Sequence, residues 1–535
     1  MDILWLDLNS SYSHSSLALP LIHAQCDETH QWDVVRTNIN VSVSTIVRDI
    51  LRKGPDLILA TAWLFTHEHL QAVLSRVKVL LPDCVIALGG PEFLGPNESY
   101  LRNNTFVDMV FRGEGEEHLP LWLSLIGDRE RWSSVAGVCH IDDRGIYHDG
   151  GMARVSRFDE LKAPETSLFF CRDRAFVQFE TARGCFNTCG FCVSGEDKPV
   201  RTIPMDQVSE RLRTYCDMGI REIRLLDRTF NGQSRRALDM LDLFESFNGK
   251  LSFHLELHPA LLSDAVRERL KRMPEGLLHL EAGIQSLRQH VLDASTRVGS
   301  LEDSLDGLKF LCSLDNMVTH ADLIAGLPGY TWEMLVEDVH TLASFRAGEV
   351  QLELLKVLPG TRMRREAKQL GLFYSPLPPY EILRSDSMAP DDLLRSRQLS
   401  RLLDMYYNTP AWQTLFMDLM SSDSGFLLSF MDFMASRELL DQPLALERRG
   451  LLLYEFVKES YPHQLGKVSL AWIREGLPLG KEPAQGLKPL PVLPDTLERI
   501  SGERTPETRY YVLNRTVFGF DRGVKRQKPV FEGLI

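Results

Sequence analysis

The chain has 535 residues, 44% hydrophobic and 25% charged, which is ordinary for a globular protein but too long for one compact core, so two to four domains are expected. A formal net charge of -13 argues against a broad nucleic-acid-binding surface, which needs clustered Lys and Arg, though one local basic patch could still hold an RNA. No apolar run is long enough to span a bilayer, and the start MDILWLDLN lacks the basic region and cleavage site of a signal peptide, so a cytoplasmic protein is expected.

Residues 1–125 alternate apolar strands with amphipathic helical stretches. The strands are read at Ile3–Leu8, Trp32–Thr37, Leu57–Thr61, Val85–Leu88 and Met109–Phe111, with helices such as Val43–Arg52 and Glu68–Leu80 between them. This α/β alternation predicts a doubly wound, Rossmann-like parallel sheet. Such sheets bind ligands beyond the carboxyl ends of their strands. Candidate ligand-binding segments therefore follow those ends: Asn9–Ser16, with Asn9, Ser10 and Tyr12; Ala62–His67; GGPEF, with Gly89, Gly90, Pro91 and Glu92; and RGEGE, with Gly113, Glu114 and Gly115. Residues 126–175 read as a connector with short strands. A second series over 176–374 has strands VQFET, EIRLLD, LSFHLEL, LLHLEAG, HADLIAG and EVQLELLKV. Six such units predict a partial, TIM-like (β/α)6 barrel with its site at the strands' C-terminal ends. The patch SPLPPY marks a boundary. Residues 375–535 are expected to form a mostly helical C-terminal domain, with helices at Asp391–Tyr407 and Ala411–Met420 and then Pro-rich irregular sequence. No internal repeat or low-complexity tract is present. The Met- and Phe-rich stretch over 416–434 reads more simply as the core of a helical cap than as a lipid- or substrate-binding surface.

Six of the nine cysteines, Cys26, Cys84, Cys139, Cys171, Cys216 and Cys312, stand singly and read as small buried hydrophobes in a reducing compartment. Cys185, Cys189 and Cys192 fall within eight residues, directly after the first barrel strand. Three thiolates leave one iron of a 4Fe-4S cluster without a protein ligand, and an open metal position is what chemistry needs. A closed zinc site is the blander alternative, but it wants a fourth ligand that no nearby Cys or His obviously supplies. The ends of the other barrel strands add Asp227, Arg228 and Thr229, then Glu256 and His258, Glu281 and Gln285, and Asp322 with Gly326 and Gly329. Each taken singly is equally well explained as a barrel-end hydrogen bond; as a set they favour a site.

The spacing Cys-x3-Cys-x2-Cys, with Phe191 before the last cysteine and a β/α series following, resembles the radical S-adenosylmethionine (SAM) superfamily over residues Phe176 to Leu370. The resemblance implies a 4Fe-4S cluster on Cys185, Cys189 and Cys192 and SAM chelated to the open iron. It also implies Phe191 against adenine, and Asp227, Arg228, Glu256, Glu281, Gln285 and Gly326 on the SAM side. The glycine-glycine-glutamate run common after the second strand is replaced here by LDRTFNG, which puts that contact to the substrate amine in doubt. The N-terminal domain resembles the cobalamin-binding domain of cobalamin-dependent members, with GGPEF and RGEGE placed to meet the nucleotide tail. The Asp-x-His-x-x-Gly motif of many cobalamin proteins is absent, and His14 and His67 lack its context, so a lower face left to water or an apolar side chain is expected. NSSYSHSSLAL, DRTFN, LEAGIQS, DLIAGLPG and PPYEIL extend the resemblance to a branch with an extra helical C-terminal domain.

What this implies is methylation of an unactivated carbon of a small-molecule, lipid or peptide substrate. A 5′-deoxyadenosyl radical would take hydrogen, the corrin would deliver the methyl group, and a donor such as flavodoxin or ferredoxin would supply electrons. A non-methylating radical rearrangement or cyclisation, and an iron-sulfur sensor, are the alternatives.

Overall fold

The computed structural model describes residues 1–10, 16–26, 29–491, 497, 508–521 and 528–534. The chain divides into two compact units: residues 1–335 with 354–393, and residues 336–353 with 394–535.

The first unit opens with strands β1 (Asp2–Asn9), β2 (Gln31–Asn38), β3 (Leu57–Thr61), β4 (Val85–Gly89) and β5 (Met109–Phe111). They pair in parallel in the order β2-β1-β3-β4-β5, and β6 (Val138–Ile141) and β7 (Tyr147–Asp149) extend the sheet antiparallel. The connector strands thus belong to the N-terminal sheet. Every residue of β3 is buried, as expected when helices cover both faces of a parallel sheet. On one face Leu4, Leu6, Ile58, Ala60, Ile86 and Leu88 pack with α2 (Val43–Leu51) and α3 (His67–Leu80). Ser42 caps α2 by accepting from the Thr45 amide at 3.3 Å. On the other face Trp5, Leu59, Ala87, Met109 and Phe111 share a core with Leu19 of α1 (Ala18–Gln25) and with Leu119 and Trp122.

The second sheet has strands β8 (Val177–Phe179), β9 (Glu222–Leu225), β10 (Ser252–Leu257), β11 (Leu278–Gln285) and β12 (Val318–Ala325), parallel and adjacent in chain order. The strand Glu349–Leu354, last of the predicted six, begins in the second unit and ends in the first. Burial along β11 alternates strictly, with Leu278, Leu280, Ala282 and Ile284 buried and His279, Glu281, Gly283 and Gln285 partly exposed. The apolar face packs under helices: Phe253 of β10 stacks on Phe244 of the helix Ser234–Glu245 with ring centroids 3.9 Å apart. The opposite face is polar and half open. That is the inner face of a partial barrel, where a closed barrel would be filled with branched apolar side chains.

The second unit is helical over most of its length. Tyr406, Phe416, Phe426, Phe430 and Phe456 form one aromatic core, and Met417, Met420, Met431 and Met434 are buried, which agrees with the core reading of the Met/Phe stretch. The tail expected to be irregular instead forms a four-stranded antiparallel sheet of Lys488–Leu490, Arg509–Leu513, Thr516–Phe520 and Phe531–Leu534. No helix among the described residues is long and apolar enough to cross a membrane.

Candidate active site

The cysteine loop is held before it is filled. After β8, Ala182–Arg183 pairs antiparallel with Arg201–Thr202, closing the base of a loop that carries all three thiols. The Cys185 amide donates to Asp197 O at 3.1 Å, and the Gly190 amide to Ser295 O at 2.8 Å. Asn187 Oδ1 accepts from the Val298 amide at 3.0 Å, and Thr188 Oγ1 donates to Thr296 O at 2.8 Å. Segment 295–298 therefore clamps the loop along its length. Cys185 and Cys189 are buried and Cys192 half-buried. Burial pushes the Cys189 thiol up, and Arg297, whose guanidinium donates to its Sγ at 3.6 Å, pulls in the opposite direction.

The three cysteines line an upper cavity of about 670 Å³ at the C-terminal ends of the barrel strands, together with Phe191, Arg228, Thr229, Glu256, His258, Glu281, Gln285, Arg297 and Asp322. Its carboxylates are driven apart. His254 bonds Glu281 at 3.0 Å and holds that carboxyl below its ordinary range. Burial, then the charges of Glu281 and Glu256, pushes Asp322 well up. Burial likewise lifts Glu256 to about 7 against the pull of Arg228, whose guanidinium is 3.8 Å away. Burial holds the His258 imidazole neutral, with its pKa down at about 3. Neither His258 ring nitrogen nor Asp322 Oδ1 has a hydrogen bond of good geometry, and buried polar atoms of this kind call for a partner. Among the described residues no three His, Cys, Asp or Glu side chains are placed to hold a single metal ion. A cubane cluster takes its thiolates at separate corners, so three thiols facing one cavity, with unsatisfied polar atoms across it, fit a cluster with a bound amino acid better than a mononuclear metal.

A second cleft of about 1200 Å³, part of it open to solvent, lies between the first sheet and α1. Its walls are Trp5, Leu59, Ala87, Met109 and Phe111 from the strands, with Ala18 and Ile22 opposite; Gly89, Gly90, Pro91, Gly113, Glu114 and Gly115 line it as well. An apolar slot under glycine-rich strand ends fits a flat heteroaromatic base with a phosphodiester above it. The two glycines with positive φ have a further reason to be glycine. Gly90 has φ 107°, and a Cβ there would lie 2.7 Å from Thr61 Cγ2 and 2.8 Å from Ala62 O. Gly113 has φ 105° and would drive a Cβ into Ala153 O. Here glycine is demanded by the neighbouring chain, not by a ligand. Arg183 at the edge of the cleft is bound to Glu116 at 2.6 Å and Glu180 at 2.8 Å; burial opposes its charge, but the two carboxylates outweigh that and hold its pKa high.

Several predicted residues are engaged elsewhere. Asp227 is buried, accepts from the Thr181 and Ala182 amides at 2.7 and 2.9 Å and also bonds the Thr181 hydroxyl, so it ties β8 to the strand-end loop and lines neither cavity. Glu92 is buried and accepts from the Tyr380 hydroxyl at 2.7 Å. Gly326, at φ 86°, packs against Ile382 and Leu393. Asn9 donates to Asp7 at 2.9 Å, Ser10 is exposed, and Tyr12 and His14 lie outside the described residues. His67 bonds Gln71 at 2.9 Å among Phe93 and Tyr100, with its pKa pushed down to about 4 by burial. Sequence reasoning missed Arg297, which a segment beyond any strand end brings in, and Arg183 and Asn187, which stand in the cysteine loop without a spacing of their own to mark them.

Comparison with known proteins agrees with this geometry. The radical SAM superfamily family model matches residues 179–342, the B12 binding domain matches residues 6–122, and a family described as protein of unknown function (DUF4080) matches residues 368–475. The chain is 26% identical over 284 residues to tRNA-2-methylthio-N(6)-dimethylallyladenosine synthase of Chromohalobacter salexigens, covering 50% of this chain and 58% of that protein. It is 23% identical over 335 residues to an uncharacterized methyltransferase of Pyrococcus horikoshii, covering 61% of this chain and 72% of that protein. It thus spans little more than half the length of the tRNA-modifying relatives it matches. Among solved structures it is similar to the radical SAM methyltransferase TsrM from Kitasatospora setae with cobalamin and a 4Fe-4S cluster bound, with TM-score 0.58 and 16% identity over 74% of this chain and 81% of that one. It is also similar to the cobalamin-dependent SAM radical enzyme OxsB with aqua-cobalamin and SAM bound, with TM-score 0.61 and 14% identity over 88% and 78%. At such identities the structural likeness is one of fold. A B12-binding domain ahead of a radical SAM domain, with the paired cavities described above, defines a cobalamin-dependent radical SAM enzyme, and this chain is one. Its cofactors are a 4Fe-4S cluster, SAM and cobalamin.

Proposed function

We propose that the enzyme methylates an unactivated carbon of a small-molecule, lipid or peptide substrate, with Cys185, Cys189 and Cys192 as the protein ligands of the cluster. The observation that carries the reading is Arg228, which lines both the cysteine-bearing cavity and the cleft of the B12-binding domain. A substrate carbon held beside Arg228 would be within reach of both cofactors. When bound, the cluster and SAM supply a 5′-deoxyadenosyl radical, and cobalamin supplies a carrier for the methyl group.

The chain's own residues hold and shield. Segment 295–298 fixes the cysteine loop, and Arg297 favours the thiolate form of Cys189. Glu281, kept ionised by His254, is the carboxylate suited to an ammonium group such as that of SAM, while Phe191 offers a ring and backbone to adenine. Arg228, tethered only loosely to Glu256 at 3.8 Å, is free to turn its guanidinium to the substrate. The apolar cleft walls offer a bound corrin little water contact on their side, and a carbon radical requires water to be kept away. The electron comes, on this reading, from a small donor such as flavodoxin or ferredoxin.

The test is to incubate anaerobically reconstituted, cobalamin-loaded enzyme with reductant, metabolite extract and SAM carrying a deuterated methyl group. The proposal expects S-adenosylhomocysteine and 5′-deoxyadenosine together, with a labelled product. Only 5′-deoxyadenosine, with an isomerised or cyclised and unlabelled product, would replace methylation by radical rearrangement.

A further inference from the structure

The barrel interior carries a second set of polar side chains below the active-site cavity. At its N-terminal mouth lies a lower cavity of about 920 Å³, lined by Glu222, Arg224, Ser252, His254, His279 and Asn316 among others. His254 thus lines the lower cavity while its Nε2 bonds Glu281, which lines the upper one, at 3.0 Å. One imidazole spans the floor between them. Behind it stand two more: the His254 and His279 rings are 4.8 Å apart, and His279 Nε2 lies 2.5 Å from His320 Nε2. Strand register explains the stack, since His254 pairs with His279 and Glu256 with Glu281 on β10 and β11, and Glu281 pairs with His320 across β11 and β12.

We propose that His254, backed by His279 and His320, relays protons between the carboxylates of the upper cavity and solvent at the lower mouth of the barrel. The proposal rests on the reading of the upper cavity as the active site. Two half-buried imidazoles, His254 and His279, and the buried His320 stand on three adjacent strands and contribute little apolar packing, and burying polar groups is costly unless they are hydrogen-bonded; imidazoles stacked in this way are suited to proton movement. In the outward direction, a protonated Glu281 gives its proton to His254 Nε2 and is left as carboxylate. The imidazolium then loses the proton on its other ring nitrogen to water in the lower cavity, and the reverse order brings a proton in. Only O–H and N–H bonds are exchanged, and no electron moves. The upper cavity could then gain or lose a proton without opening to water on the substrate side. The charged and titratable groups facing His254 are Glu222 and Arg224 on β9, His279 and Glu281 on β11, and His320 on β12, with Glu256 on its own strand. Asp322, lifted by burial, is the neighbouring acid that would exchange with Glu281.

The test is an infrared pH titration of the cluster-loaded full-length protein with carboxyl-13C glutamate, with and without SAM. The Glu281 band is identified by its loss in Glu281→Gln. It should titrate both with and without SAM, and move up by about one pH unit in His254→Gln, where the hydrogen bond with the imidazole is gone. Ser252→Trp, at the lower mouth, should slow its response to a pH jump severalfold with SAM bound. A band unmoved in His254→Gln overturns the proposal, and so does a response blocked by SAM alone and indifferent to Ser252→Trp. Should His254→Gln fail to fold, the ring 15N signals of His254 in Glu281→Gln decide the same coupling: they must shift, or the relay is wrong. The active-site reading is checked separately in the same samples by the cluster's EPR signal. No change on adding SAM would sink that reading, while the titration without SAM still decides the relay.

Discussion

Glu256 shows what the site asks of single side chains. Burial lifts its carboxyl from 4.5 to about 7, so the folded protein prefers it protonated. The stability from that preference is fully present below the unfolded value and lost as pH rises through about 7. Cofactor-free enzyme should therefore weaken between about pH 4.5 and 7, and Glu256→Gln should flatten that part of the profile, as read from denaturation midpoints. A wild-type profile no steeper than the variant's would show Glu256 to be ordinary. Cys189→Ser should abolish the cluster's visible absorbance and reductive SAM cleavage while leaving corrin retention intact, which separates the two cofactor sites. Gly90→Ala should cost about 2 kcal/mol from its positive φ and the approach to Ala62, with thermal unfolding as the measure. At this scale the sequence was informative where spacing carries the chemistry, as in the three cysteines. It was silent about Arg297, and it could not distinguish Glu256, which lines the cavity, from Asp227, which is consumed by Thr181 and Ala182. Both stand at strand ends; only the fold says which way each is spent.

Among the elements, the parallel strands were legible because their two faces differ chemically. LLHLEAGIQ alternates, and the structure buries Leu278, Leu280, Ala282 and Ile284 while His279 and Glu281 face inward. Phe253→Ala on the outer face should cost about 3–5 kcal/mol, by loss of its contact with Phe244 and the cavity left behind; a cost below 1 kcal/mol would mean that the helix Ser234–Glu245 is not anchored there. The terminal sheet was illegible for the opposite reason. Its strand Lys488–Leu490 contains a proline and Phe531–Leu534 a glycine, both of which argue against strand when read locally, and pairing with Arg509–Leu513 and Thr516–Phe520 overrides that. The connector reads locally as short strands, but nothing local says that β6 pairs with β5 and β7 with β6.

At the level of the molecule, the order of cofactor domains could be read from the sequence because each announces itself by strand-end loops. The division into units could not, because it is not collinear with the chain. Residues 336–353 belong with 394–535, and the bonds are specific: the Val350 amide and carbonyl both pair with the Asn408 side chain, at 2.9 and 3.0 Å, and Tyr407 donates to Ala347 O at 2.8 Å. A chain stopped after residue 393 should therefore be recovered mainly as aggregate, with a protease-sensitive stretch near 336–353; a soluble, monomeric product with native spectra would show that stretch to be self-sufficient. The same threading sets a clock on synthesis. When residue 353 is made, its partners are still unmade, and at about 5–20 residues per second the remaining chain takes roughly 10–40 s to appear. Through that interval the segment must be kept from wrong partners, so nascent chains of this enzyme should depend on chaperones late in translation, when the cysteine loop is already complete.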